Sequence, residues 1–183
     1  MRIEQTPLVD CFIVHEKVHG DARGYFIETF NQRDFNAASG LDILFVQDNQ
    51  SRSSKGVLRG LHMQRGAAAQ AKLVRVLEGS VLDIAVDLRK GSPSFGQHYA
   101  IELTADNHKQ FFVPAGFAHG FVVLSEAATF FYKVDKFYEP GNEVGIMYND
   151  KYLNINWQLA DNEIILSEKD KTLGSFADYA ASL

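Results

Sequence analysis

The sequence predicts a mainly β protein, closed as a sandwich or barrel and carrying only minor short helices. Two observations lead there. Between residues 72 and 134, short runs rich in Val, Ile, Leu and Phe follow one another closely. They are separated by turn signals such as Glu78-Gly79-Ser80, Lys90-Gly91-Ser92-Pro93 and Ala105-Asp106-Asn107. Many short strands at close spacing, broken by Gly, Pro, Asn and Asp, are the pattern of an all-β sandwich or barrel.

In chain order, strands are expected at Phe12–His15, Gly24–Phe30 and Ile43–Asn49, then at Lys72–Leu77, Val81–Leu88, Tyr99–Leu103, Gln110–Val113, Gly120–Leu124 and Thr129–Val134. Helix is expected only near Arg33–Ala38 and near the C-terminus. No linker, low-complexity tract or repeat divides the chain, so residues 1–183 read as one domain, long enough to bury a core. Residues two apart on a strand share a face. Lys72 shares one with Val74 and Val76, Glu28 with Phe26 and Phe30, Asp83 with Val81 and Ala85, and Tyr132 with Phe130 and Val134. A buried polar group costs several kcal/mol, roughly, unless it is satisfied. Four such groups on otherwise apolar faces point to a lined pocket.

Composition bounds the function. A net charge of −5 argues against a nucleic-acid surface, which needs clustered cations. A local knot of Arg and Lys can still hold an anionic small molecule. Cys11 is the one cysteine, so no disulfide framework exists, in keeping with a reducing cytoplasm. The N-terminal residues do not read as a signal peptide, and no apolar run reaches membrane-spanning length. The expectation is a soluble, cytoplasmic protein.

Two segments carry chemistry. In Arg59-Gly60-Leu61-His62-Met63-Gln64, the glycine permits close backbone approach beside a histidine. Pro114-Ala115-Gly116-Phe117-Ala118-His119-Gly120-Phe121 resembles the second motif of the cupins, a Pro-x-Gly turn followed by histidine. Metal-binding cupins pair that histidine with a His-x-His and a Glu. Here His62-Met63-Gln64 stands in that place and no suitable Glu follows, so no metal site is expected.

Over nearly its whole length the chain resembles the dTDP-4-dehydrorhamnose 3,5-epimerase family. The resemblance runs from Asp21-Ala22-Arg23-Gly24-Tyr25-Phe26 through residues 47–64, 70–95 and 113–124. It continues through Tyr132-Lys133-Val134-Asp135 and Asn149-Asp150 to Leu166-Ser167-Glu168-Lys169-Asp170. It implies a cupin-like jelly-roll β-barrel and a homodimeric enzyme that needs no cofactor and acts on a dTDP-4-keto-6-deoxy sugar, with a pocket shared between subunits. His62 matches the family's proton acceptor, Tyr132 its proton donor and Asp170 the carboxylate paired with the histidine. Lys72 falls beside the sugar ketone. Arg23, Glu28, Gln47, Asn49, Arg59, His119, Glu143 and Lys169 match substrate-binding positions, and Tyr138 the aromatic that stacks on thymine. Met63, Tyr148 and Gln158 depart from the family's usual Phe, Trp and Pro, at positions expected to shape the pocket wall or a turn.

The chemistry suits these residue types. Hydrogens on C3 and C5 of a 4-keto sugar lie alpha to the carbonyl, and a histidine with an ordinary pKa of about 6.5 can remove them. A carboxylate on the other ring nitrogen fixes the tautomer. A cation such as Lys72 stabilises the enolate oxygen, Tyr132 reprotonates the opposite face, and Arg59 and Arg23 can fork onto a diphosphate. On residues alone other readings stand beside these. Ser167-x-x-Asp170 equally forms a helix-capping box, Tyr132 a satisfied core tyrosine, either Arg a surface ion pair, and Asp83 either a support for His62 or part of the wall. A single-site epimerase, a 3,4-ketoisomerase, a metal-dependent cupin and a non-catalytic sugar-nucleotide binder are the competing functions.

Overall fold

The computed structural model describes residues 1–183 and consists of two packed antiparallel sheets with a small hairpin beside them. The first sheet has the spatial order β1 (Arg2–Gln5), β2 (Phe12–His15), β10 (Lys109–Val113), β7 (Lys72–Glu78), β12 (Ala127–Val134), β5 (Gln47–Ser54). The second has the order β13 (Glu143–Gly145), β6 (Leu58–Gln64), β11 (Phe117–Val123), β8 (Ser80–Asp87), β9 (His98–Thr104). The hairpin pairs β3 (Val18–Asp21) with β4 (Gly24–Ile27). Helices α1 (Gln32–Ser39) and α2 (Phe176–Ala181) are the only α-helices. No helix is long and apolar enough to cross a membrane. The expected mainly β, cupin-like architecture is the observed one.

Three apolar clusters hold the layers. Between the sheets lie Val74, Val76 and Phe130 from the first, against Val81, Ala85, Phe117, Phe121 and Val123 from the second. Outside the first sheet, Phe12, Val14, Leu73 and Phe112 are covered by Phe35 of α1 and by Phe30 and Phe45. Outside the second, Leu61, Met63, Leu82 and Ile84 are covered by C-terminal residues including Ile146, Leu153, Trp157 and Phe176. Each fully buried Leu, Ile or Phe in such a cluster is worth about 1.5–3 kcal/mol. Buried Asp150 pins the C-terminal cover, accepting hydrogen bonds from the backbone of Tyr152, Leu153 and Phe176.

The structure redraws several expected elements. Residues 43–46 are not strand, and β5 instead runs from Gln47 to Ser54. The Gln32 side chain takes the place of a neighbouring strand there, donating to the Ile43 carbonyl and accepting from Phe45 N–H. β4 ends at Ile27, so Glu28 is not flanked on a common face by Phe26 and Phe30. Phe26 points to solvent at 70% exposure, whereas Phe30 packs beneath the first sheet. β11 begins at Phe117, which puts His119 inside the strand. Strands β1, β3, β6 and β13 lie where no strand was expected.

Among the departures from the family pattern, Met63 faces the outer cluster rather than a pocket wall. Gln158 has φ +62°, a conformation proline cannot adopt. The turn after Trp157 therefore differs from one that carries Pro.

Candidate active site

A cavity of about 610 Å3 opens between the sheets at one end of the apolar layer. Cross-strand register explains its first wall. Tyr132 lies opposite both Asn49 of β5 and Val74 of β7, and Val134 lies opposite Gln47 and Lys72. Directly opposed residues share a face, so Lys72, Tyr132, Asn49 and Gln47 form one inward-facing patch. Lys72, Tyr132 and Asn49 line the cavity, and Gln47 donates to Asn49 Oδ1 at 2.9 Å from just beyond it.

The second wall depends on an irregularity. His119 of β11 opposes His62, and Phe121 opposes Arg59, so two residues of β11 span three of β6. The extra residue is a β-bulge at Gly60-Leu61, and it places both Arg59 and His62 on the inner face. Gly60 has φ +135°, and a Cβ there would stand 2.5 Å from Gly120 Cα and 3.0 Å from the His119 carbonyl. Only glycine fits. The floor between the walls is the stacked pair Phe121 and Phe130, with ring centroids 4.1 Å apart.

Asp170 arrives from the C-terminal segment. Ile165 bonds to Gly56 and Leu58 through its backbone, laying this segment along the start of β6. Ser167 Oγ then accepts from Asp170 N–H at 3.1 Å, where a single 3-10 turn over Asp170–Thr172 begins. The Asp170 carboxylate does not complete a capping box. It turns to His62, with Oδ1 2.5 Å from Nε2. The capping-box reading of Asp170 is therefore not met: its backbone N–H bonds Ser167, but its side chain meets the histidine. The cap of α2 is instead Ser175 with Asp178.

A second pair lies deeper. Asp83, fully buried, meets His119 Nε2 at 2.9 and 3.1 Å through its two oxygens. Its partner is thus His119 and not His62. Arg59 is held by Ser53, whose Oγ accepts from Nε and Nη2 at 3.2 Å each. At the cavity mouth Lys169 and Tyr138 both bond Glu143, the tyrosine hydroxyl donating at 2.8 Å.

The electrostatics follow from burial. Burial pulls the His62 imidazole below the ordinary value of 6.5, outweighing the opposite pull of Asp170. Burial likewise brings the Lys72 ammonium down to about 8, against the raising effect of Asp83 and Glu143. It raises the Tyr132 phenol above 10. Burial would also raise Glu143, but the bonds from Lys169 and Tyr138 hold it below the usual carboxylate value. Near neutrality the site therefore presents a neutral imidazole, a cationic ammonium and a protonated phenol. No three His, Cys, Asp or Glu side chains converge as a metal-ligand set.

Of the residues expected from sequence, the cavity brings together His62, Asp170, Lys72, Tyr132, Asn49, Arg59, His119 and Lys169. Tyr138 and Glu143 join through Lys169 at its rim, and Gln47 through Asn49. Arg23 and Glu28 are not brought to it. Arg23 is on the exposed hairpin, its side chain 90% exposed and paired with Asp21, and Glu28 is exposed just beyond β4. Ser53, Ile165 and the Phe121–Phe130 floor were not anticipated. Ser53 sits in a polar run with no apolar alternation to mark its inward face, whereas the spacing of Phe121 and Phe130 within apolar strands was a signal for the floor.

The chain is similar to known proteins over nearly its whole length. Residues 5–178 match the family dTDP-4-dehydrorhamnose 3,5-epimerase. The enzyme of that name from Pseudomonas aeruginosa is 51% identical over 97% of both chains. The crystal structure of the Elizabethkingia anophelis enzyme is 53% identical, superposes with a TM-score of 0.94 and is matched over 97% of both chains. A Legionella pneumophila dTDP-6-deoxy-D-glucose-3,5-epimerase, solved with dTDP-4-keto-L-rhamnose, is 44% identical with a TM-score of 0.92, over 97% of this chain and 96% of that one. Profile, near-full-length identity and superposition together place this chain in the dTDP-4-dehydrorhamnose 3,5-epimerase family.

Proposed function

We propose that the chain epimerises dTDP-4-dehydro-6-deoxy-D-glucose at C3 and C5, giving dTDP-4-dehydro-L-rhamnose. The observation that carries this reading is the opposition of His62 and Tyr132. One is a carboxylate-paired base on β6, the other a phenol on β12, and the strands belong to facing sheets that line one cavity. Inversion at a carbon needs a base and an acid on opposite sides of the ring, which two facing sheets supply.

His62 is the base. With Nε2 engaged by Asp170, Nδ1 accepts the proton, and the carboxylate stabilises the imidazolium that forms. Electrons from the broken C–H bond move into the C4 carbonyl, and Lys72 stabilises the resulting oxyanion. Tyr132 then delivers a proton to the other face. Because the substrate ketone is the electron sink, the steps call on no cofactor. Arg59, kept in place by Ser53, suits a diphosphate oxygen pair, with Asn49, His119 and Lys169 as further contacts. Tyr138, half exposed at the mouth, offers a face for the thymine.

Arg23 and Glu28 belong to the same reading through a homodimer. The hairpin presents Tyr25 and Phe26 at 63% and 70% exposure beside Arg23, and an arm of this kind suits insertion into a partner's pocket. The enzyme acts in the cytoplasm, where nucleotide sugars are made.

Incubation in D2O with the 4-keto sugar nucleotide tests the reaction. Deuterium at both C3 and C5, read by NMR, is the expected result. Label at one carbon would make this a single-site epimerase, a 3-keto product would make it a ketoisomerase, and dTDP binding with no exchange would make it a binding module.

A further inference from the structure

Asp83 is not among the groups assigned to the reaction, yet its surroundings are unusual. It is fully buried, and its only ion-pairing partner is the His119 ring. Lys72, partly buried in the facing sheet, makes no ion pair or side-chain hydrogen bond of its own. The neighbours of Asp83 on its face, Val81 and Ala85, and those of Lys72, Val74 and Val76, belong to one apolar cluster. The two side chains thus point into the same space between the sheets, Lys72 from the first and Asp83 from the second. A buried charge left without an opposite one is costly.

We propose that Asp83 is a positioning residue of the active site: it fixes the His119 ring and serves as the counter-charge that keeps the Lys72 ammonium positive where the substrate's oxyanion develops. The proposal rests on the role given to Lys72 above. The other titratable and charged groups around Lys72 are Arg59 and His62 on β6, His119 on β11, Tyr132 on β12, Glu143 on β13, and Lys169 with Asp170 beside them. Among the carboxylates, Asp83 acts on Lys72 more strongly than Glu143.

The test is an NMR titration of the full-length enzyme with 13C-labelled lysine, the Lys72 resonance being assigned by its loss in Lys72→Met. In Asp83→Asn the Lys72 midpoint should fall by about 1 unit, and the alkaline limb of kcat/KM should move with it. Glu143→Gln should shift it less. In the wild-type protein the Asp83 13Cγ resonance should inflect at the pH where Lys72 loses its proton, a measurement that needs no variant to fold. An unmoved Lys72 midpoint in Asp83→Asn, or no inflection at Asp83, overturns the proposal. If Lys72→Met turns over normally while the midpoint still shifts, the pairing stands and the catalytic role of Lys72 falls instead.

Discussion

Nε2 of His62 lies 2.5 Å from Oδ1 of Asp170, across 108 residues of sequence. One partner is on a bulged strand and the other at the start of a 3-10 turn, so two independent local structures converge on one contact. Asp170→Asn keeps the shape and removes the charge that stabilises the imidazolium. We expect kcat to fall by about 10²–10⁴-fold, and His62→Asn to lower it at least as far. Steady-state assays of both variants check this. Wild-type kcat in either one would remove the pair from the mechanism.

Tyr132→Phe separates the two proton transfers. His62 can still remove a proton and return one to the same face, so solvent deuterium should still enter the substrate. Net epimerisation should drop by about 10²–10⁴-fold. Loss of exchange in step with loss of epimerisation would show that Tyr132 also serves the first step.

The pH profile of kcat/KM follows from the free enzyme's groups. His62 must be neutral, so activity is present above its pKa and lost as pH falls through it, at a pH lower than the ordinary 6.5 of a free imidazole. Lys72 must be charged, so activity is lost as pH rises through about 8. Tyr132, above 10, stays protonated throughout. A plateau that extends to pH 10 would contradict the role given to Lys72.

Gly60→Ala should destabilise the protein by at least about 2 kcal/mol, since it combines an unfavourable positive φ with a backbone clash. Gly120→Ala meets the Arg59 carbonyl at 2.7 Å but lies outside the positive-φ region. It should cost less. Thermal denaturation of the two variants orders them, and equal melting temperatures would mean that the bulge carries no special backbone demand.

The proposal that the pocket is shared between subunits can be tested by complementation. Arg23→Ala and His62→Asn are each expected to be weakly active or inactive alone. In a mixed dimer, the arm of the His62→Asn subunit would reach a partner site with an intact His62, so mixing should restore activity. No recovery after subunit exchange, shown to occur by mass spectrometry, would confine Arg23 to its own subunit.

Strands marked by apolar runs between turn signals were legible in the chain. β2, β7, β8 and β12 fall close to their expected bounds, and the inward directions of Lys72, Asp83 and Tyr132 follow from period-2 patterning. β6, which carries His62, was not legible, because its bulge breaks the alternation on which recognition of a strand depends. Residues 43–46 misled in the opposite way, being apolar enough for a strand yet packed as an irregular cover.

Residue chemistry by itself determined which groups could run proton transfer beside a ketone, and near-full-length resemblance named their roles. The resemblance also paired Asp170 with His62, and only tertiary structure decided the other partners: Asp83 for His119, Ser53 for Arg59, and Glu143 for both Lys169 and Tyr138. It also left Arg23 and Glu28 outside the cavity of their own chain. The reason is physical. Side-chain direction along a strand is a local property set by the backbone pleat, whereas which side chain meets which depends on register, bulges and the path of segments a hundred residues apart.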